Sequence, residues 1–287
     1  MAISNFIPSV WSGRILAALD KSLVYGSDMV INRDYEGEIS NVGDSVRINS
    51  IGDVTISDYS RDTDINSPQA LADAQQVLVI DQAKYFNFAV DDVDQLQQNP
   101  KVMEEAIRRS AYGLRNTIDQ FIAALYSGAA AVTGLGDDTT ALVPSTNTDG
   151  TTMYDYLVNM GIALDEANVP SDGRFAILPP WLKGRMLKDA RFVGYGTPEN
   201  RNSLLNGLLG EAAGFNIMIS NNVPNTSGAK YKVIAGHPMA WTFVQQILKT
   251  EAFRPERRFS DAVKGLSVYG AKVIRPEALV VGTFSKT

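Results

Sequence analysis

The sequence predicts an α+β protein that carries an outstretched, thinly cored β-projection. Three observations support this. Residues 100–127 hold one long amphipathic pattern at helical spacing, and helix and strand patterns alternate over 152–236. The stretch SVRINSIGDVTISDY (Ser45–Tyr59) alternates like strand, but the polar SRDTDINSPQALADAQQ behind it has hardly anything to bury.

Residues 1–33 read as an arm. Pro8 disfavours a helix just upstream, and Ile15, Leu16, Leu19 and Leu23 then share one face of a short helix over 12–24. In the acidic region that follows, Val46 and Ile48 alternate in one predicted strand and Val54 and Ile56 in another. Val77–Val90 forms a further β-rich run in which Phe86, Phe88 and Val90 dock on a core. Gly43-Asp44 and Gly52-Asp53 are turn signals. A two-stranded ribbon is marginal alone in water, and loops beyond about 12–15 residues are uncommon unless functional or bound to something. The ribbon therefore needs a surface to lie on.

The long helix has a clear start. Asn99 suits the N-cap, Pro100 the first helical position, and Glu104 and Glu105 the positive end of the dipole. Met103, Ile107, Ala111, Leu114, Ile118, Phe121, Ile122 and Leu125 form its apolar stripe, with Glu104, Arg108, Arg115 and Asp119 mostly off it. At ~1.5 Å per residue it spans about 42 Å before Gly128 stops it. A small-residue connection leads to a helix over 152–167, whose Tyr154, Leu157, Val158, Gly161 and Leu164 face one side. RFAILPP is a buried strand, WLKGRMLKDARF a short helix, and GFNIMISNNVP and KYKVIAGHP are strands. QQILKTEAFRPE and LSVYGAKVIRPEALVVGTF return to strand, joined by a turn or short helix around 259–265.

Charge is polarised along the 287 residues. The net is −6, with six Lys/Arg against fifteen Asp/Glu in 1–98 and seven against four in 251–287. Such a chain can set its acidic part against the basic part of a copy of itself. An acidic total opposes tight, sequence-specific nucleic-acid binding. There is no cysteine, which excludes disulfides and thiolate sites and suits a reducing compartment. Neither a secretory leader nor an apolar run of about 18 residues is present, so no membrane association is expected.

Catalytic signatures are missing. The lone histidine, His237 in AGHPMAW, reads as structural, because one imidazole builds no multi-histidine metal site. DDVDQ (Asp91, Asp92, Asp94) and GLGDDTT lack the Gly and terminal Glu of a calcium loop and read as solvated turns. Neither a nucleophile elbow nor a phosphate loop occurs, and GLLGEAAG lacks dinucleotide spacing. The sharpest basic cluster is RPERRF (Arg254, Arg257, Arg258). It is too small for a nucleic-acid patch and better suited to a neighbour's acidic arm.

Taken together, GDSVRINSIGDVTISDY, LVIDQAKYFNFAVDDVDQLQQNPKVMEEAIRRSAYGLRNTIDQFIAALYSG, FAILPPWLKGRMLKDARFVGYGT, LLNGLLGEAAGFNIMISNNVP and LSVYGAKVIRPEALVVGTF resemble the HK97-fold major capsid proteins of tailed bacteriophages over essentially the whole chain. The resemblance implies an N-terminal arm (1–33), a peripheral-domain strand (34–44) and an extended loop (45–83). A peripheral domain with the spine helix (84–128, the helix about 100–127), an axial domain (129–229) and a return to the peripheral sheet (230–287) follow. It implies hexamers and pentamers that close an icosahedral shell around the phage's double-stranded DNA, without sequence-specific binding, catalysis or a cofactor. It places the chain in the virion, with assembly in the host bacterial cytoplasm.

The implied partners are other copies of the chain, a portal protein and, in some members, a decoration protein. Some members begin with a cleaved scaffolding segment of about a hundred residues. Here the ribbon begins near residue 40, so a separate scaffolding protein is expected. Some members also link subunits through Lys–Asn bonds, and no string here fixes such a pair. The expected inter-subunit contacts are Asp58, Arg61, Asp62 and Asp64 on the loop and Arg254, Arg257 and Arg258 on the basic cluster. The alternatives are an encapsulin-like cargo compartment, a ring- or tube-forming tail or connector protein, or a soluble α/β hydrolase using paired carboxylates.

Overall fold

A computed structural model describes residues 24–35, 45–51, 56–58, 61, 64, 67, 73–91, 101–145, 150–189, 210–257 and 260–287. The elements, in order, are β1 (Ser45–Ile51), β2 (Asp73–Val79), β3 (Gln82–Asp91), α1 (Lys101–Ala124), α2 (Met153–Glu166), β4 (Phe175–Leu178) and α3 (Pro180–Met186). Strands β5 (Glu211–Ala212), β6 (Phe215–Ile219), β7 (Asn225–Thr226), β8 (Lys230–Gly236), β9 (Trp241–Phe253), β10 (Ser260–Val273) and β11 (Leu279–Ser285) complete them.

Two sheets share one core. The larger runs β11-β8-β4-β6-β5, with β7 also on β8, and is antiparallel except for the parallel pair β4–β6. Helix α2 buries Met153, Leu157, Met160 and Leu164 in the core that this sheet shares, each side chain contributing about 1.5–3 kcal/mol. Its start is fixed by Thr152, whose backbone N–H donates to Asp155 Oδ2 at 2.9 Å, and its end by Arg174. The Arg174 guanidinium donates to Asp165 Oδ1 and the Val169 carbonyl, both at 2.6 Å, beside Asn168 in the left-handed region. A cation there also interacts favourably with the negative end of the helix dipole.

The smaller sheet runs β3-β10-β9, wholly antiparallel. Side chains of β9 and β10 alternate between its two sides. Phe243 and Tyr269 join the main core with α1, whose Ala111, Leu114, Ile118 and Ile122 are buried and whose Phe121 ring lies 5.2 Å from Tyr269. Val244 and Val268 belong instead to a small second core with β1 and β2. The sheet is thus sandwiched between a helix and a hairpin.

The structure departs from the sequence reading in five places, each for a local reason. The helix pattern read to Ser127 tightens into a 3₁₀ turn at Leu125–Gly128, where Gly128 meets the Val273 side chain. Ile56 is in no strand and is 96% exposed, while Val54 lies outside the described residues. The partner of β1 is β2, with Val46 opposite Leu78. The Val77–Val90 run breaks at Ile80–Asp81 and supplies two strands to two different sheets. Residues 260–265 are strand, because Gly265 sits opposite Phe86 and a Cβ there would lie 2.4 Å from the ring, so the ring fills the place of a side chain.

The fifth departure is the end of the arm. Residues 1–23 and 36–44 lie outside the described residues, but 24–33 are built into the core. Tyr25, Val30 and Ile31 are wholly buried. Asn32 bridges Thr242, and Trp241 Nε1 donates to the Val30 carbonyl at 2.6 Å. Asp119, read as off the helix stripe, is buried beneath this segment, where its Oδ2 accepts from Val24 N at 3.2 Å.

Burial pushes the Asp119 carboxyl above the usual range, against backbone N–H groups of Val24, Gly26 and Tyr25 and the charge of Arg115, which favour its ionised form. The folded chain therefore holds this proton more firmly than the unfolded chain. The stability tied to the group is full below about pH 4 and is lost as pH rises through the native value. Asp119→Asn removes that component. In urea titrations from pH 4 to 7, wild type should lose stability relative to Asp119→Asn as pH rises. Parallel profiles would contradict the assignment.

Candidate functional site

Among the described residues, the β1–β2 hairpin is packed on one side and open on the other. Its inner side carries Val46, Ile48 and Leu78, with Ile80 just beyond, packed against Val244 and Val268. Gly270 makes this seat possible, since a Cβ there would lie 2.8 Å from the Val79 carbonyl oxygen and 3.1 Å from Ile80 Cα. Two side chains clip its margin. Lys272 Nζ donates to the Val77 carbonyl at 2.9 Å, and Gln76 Nε2 donates to the Ile274 carbonyl at 3.1 Å. The outer side shows Val77 and Val79 to solvent, 37% and 50% exposed. Between Ile51 and Asp73, every described residue is exposed: Ile56, Ser57, Asp58, Arg61, Asp64 and Ser67.

These contacts fix a direction. Going from Val79 to Gln76, towards the tip, the neighbouring residue moves from Gly270 to Ile274. The hairpin therefore runs away from the β9–β10 turn, which lies ten residues back along β10, about 30 Å at ~3.4 Å per residue. That turn carries Arg254 and Arg257, both exposed. Beside it Lys264 pairs with Glu251 at 3.0 Å and lies 5.1 Å above the Phe253 ring. The structure thus places Asp58, Arg61 and Asp64 on one projection and Arg254 and Arg257 at the opposite end of the sheet. Within one chain it does not bring them together. Asp62 and Arg258 lie outside the described residues.

The histidine and the other acidic motifs have structural employment. His237 Nδ1 accepts from Met239 N at 3.2 Å, and the imidazole makes a second backbone hydrogen bond at Asp172. Burial lowers its pKa, and nearby Arg174 adds to this. It borders an open cleft of about 660 Å³ with Asp28, Asn32, Arg33 and Asp34. Asp28 is 86% exposed there and sits 3.7 Å from Arg33, so the cleft holds no desolvated carboxylate pair of the kind acid–base chemistry needs. In GLGDDTT, Asp137 accepts from the backbone N–H groups of Thr139 and Thr140, while Asp138 Oδ1 meets the buried Lys232 Nζ at 2.6 Å. Asp91 of DDVDQ ends β3, and Asp92 and Asp94 lie outside the described residues. Among the described residues no three His, Asp or Glu converge as a metal group, and no helix is long and apolar enough to cross a membrane.

Residues 73–282 match the family model described as phage capsid protein. No curated protein matches the sequence. A solved structure from Mycobacterium phage Che8 superposes with a TM-score of 0.74 at 29% identity, covering 98% of each chain. The capsid structure of the cyanophage P-SCSP1u gives 0.70 at 18% identity, over 93% of this chain and 89% of that one. A virus-like particle from Pyrococcus furiosus gives 0.58 at 14% identity, over 98% and 100%. The last two show the fold alone.

The hairpin seat is directly testable. Gly270→Val should destabilise the chain by about 1–3 kcal/mol, the usual range for overpacking. It should also raise amide exchange in peptides from 45–51 and 73–79. Denaturant titration with exchange mass spectrometry reads both, and unchanged exchange there would place the hairpin elsewhere.

Proposed function

The chain belongs to the phage capsid protein family, and we propose that its copies gather as hexamers and pentamers into the icosahedral shell that encloses a double-stranded DNA genome. It is a structural, shell-forming major capsid protein of HK97-like fold, and it resides in the virion. The finer reading has no enzymatic activity and no cofactor. Its partners are sister copies first, then a portal, a separate scaffolding protein and, where present, a decoration protein, with assembly in the host cytoplasm. The segments 1–33, 34–44, 45–83, 84–128, 129–229 and 230–287 serve as arm, peripheral strand, extended loop, peripheral domain with spine helix, axial domain and returning peripheral sheet.

One observation carries this reading. The acidic hairpin and the arginine-bearing turn point to opposite ends of the same sheet. Charges so arranged reach one another only between copies, and repeated head-to-tail contact forms rings where the rotation between copies closes. Asp58, Arg61, Asp62 and Asp64 of one subunit then meet Arg254, Arg257 and Arg258 of another. The exposed Ile56, Val77 and Val79 gain cover in the same step, so assembly adds stability by mass action.

Purified chain, with scaffold if required, should form shells visible by electron microscopy. Deleting 58–74 should leave a folded subunit that no longer closes them. Arg254→Glu with Arg257→Glu should cut assembly several-fold at low salt and less at high salt, because exposed pairs are screened. A deletion variant that builds normal shells would refute the role given to the loop.

A further inference from the structure

Residues 24–31 form a strap on the long helix α1. The strap is closed on itself. Val30 N and Ile31 N donate to the Ser27 carbonyl at 2.9 and 3.0 Å, and Ser27 Oγ donates to the Val24 carbonyl at 2.9 Å. Its two ends are held differently. At the far end Asn32 is clamped to β9 through backbone: Asn32 N donates to the Trp241 carbonyl at 3.2 Å, and Phe243 N donates to the Asn32 carbonyl at 2.9 Å. At the near end Val24 N reaches the Asp119 carboxyl of α1 at 3.2 Å. Asp119 is buried, and its Oδ1 accepts no hydrogen bond among the described residues. The phenol oxygen of the wholly buried Tyr25 likewise has no partner among them.

A buried carboxyl ionises at a cost unless a cation pairs with it. The cation that acts on Asp119 is Arg115, one helical turn earlier on α1, and its guanidinium lies 4.4 Å from the centre of the exposed Tyr112 ring. From the strap the titratable neighbour is the Tyr25 phenol. From β10 the titratable residue packed on α1 is Tyr269, whose ring meets Phe121 and whose charged neighbour is Asp81. Asp28, Arg33 and Asp34 line the open cleft. Burial thus dominates at Asp119, and its proton is held more firmly beneath the strap than in water.

We infer that residues 24–31 open as one unit about Asn32, and that Asp119 is the proton-controlled catch of this strap. The neutral carboxyl lies under the closed strap without a buried charge. The ionised carboxyl gains water when the strap lifts, so opening is favoured as pH rises. Tyr25, Val30 and Ile31 are wholly buried and oppose opening at every pH. The proton therefore sets how often the strap lifts, while the closed form dominates. The inference goes beyond the shell reading and rests on residues 1–33 serving as an arm. An arm held at Val24 leaves the body at α1, and an arm held only at Asn32 leaves it at β9. The eight residues of the strap then add at most about 28 Å to the distance over which the arm meets a second copy.

Amide hydrogen exchange of the full, unassembled chain tests both parts. Protection factors, corrected for the intrinsic pH dependence of exchange, are compared from pH 4 to 8 for peptides covering 24–31 and 230–236. In wild type, protection of 24–31 should fall by up to about tenfold per pH unit above about pH 4 and level off beyond the native value, because the closed strap holds one proton that the open strap releases. Asp119→Asn should give a flat profile. Arg115→Gln removes a charge that favours the ionised form and should carry the fall to higher pH. It also keeps the test decisive where the Asn variant does not fold. Low urea should leave exchange of 24–31 nearly unchanged while speeding that of 230–236, since a lifted strap exposes little surface. A flat wild-type profile, a fall that survives Asp119→Asn, or an Arg115→Gln profile moved to lower pH would overturn the catch. A urea dependence equal to that of 230–236 would show that 24–31 opens only with the whole chain, and would overturn the strap.

Discussion

The structure depends on a β-hairpin that has a seat but no second cover. Four aliphatic side chains, Val46, Ile48, Leu78 and Ile80, fix β1 and β2 against one side of a sheet whose other side holds α1. That small core contributes a few kcal/mol, enough to aim the projection and too little to enclose it. Val77, Val79 and Ile56 remain open to water. A strand pair with an open outer side invites contact with another chain, and acidic residues on its connecting stretch restrict which chains can approach.

The remaining architecture gives that projection a rigid frame. Glycines sit where backbone or ring must approach closely: Gly270 under β2, Gly265 under Phe86, and Gly282 against Met160. Trp241 stacks on Phe175 at 5.9 Å and reaches Val30, so one side chain ties both sheets to the end of the arm. At the other end of the chain, Arg185 lies 5.3 Å over Trp181 and donates to the Lys286 carbonyl, while Lys286 lies 5.4 Å over Tyr231.

The parts of this fold that follow from period and composition were legible in the sequence. The stripe from Ala111 to Ile122, the helix over 152–167, and the buried strands 175–178 and 230–236 all rest on burial patterns that a single chain displays. What depended on partners distant in sequence was not. Gly265 looks like a breaker until Phe86 is placed over it. Asp119 looks like a surface acid until Val24 lies across it. The strand read at Val54 and Ile56 does not extend to Ile56: these residues alternate as well as Val77 and Val79 do, but alternation carries no information about a partner. The basic and acidic clusters were visible as charges. Their placement at opposite ends of one sheet required the register of β1–β2 on β10.

The central claim is that the outer side of this hairpin is completed by another copy. Amide hydrogen exchange of peptides spanning Ser45–Val79, compared between unassembled subunits and closed shells at equal protein concentration, reads it most directly. Slow exchange that appears only in the shells would match the account. Equal protection in both states would contradict it, because the hairpin would then be complete within its own chain.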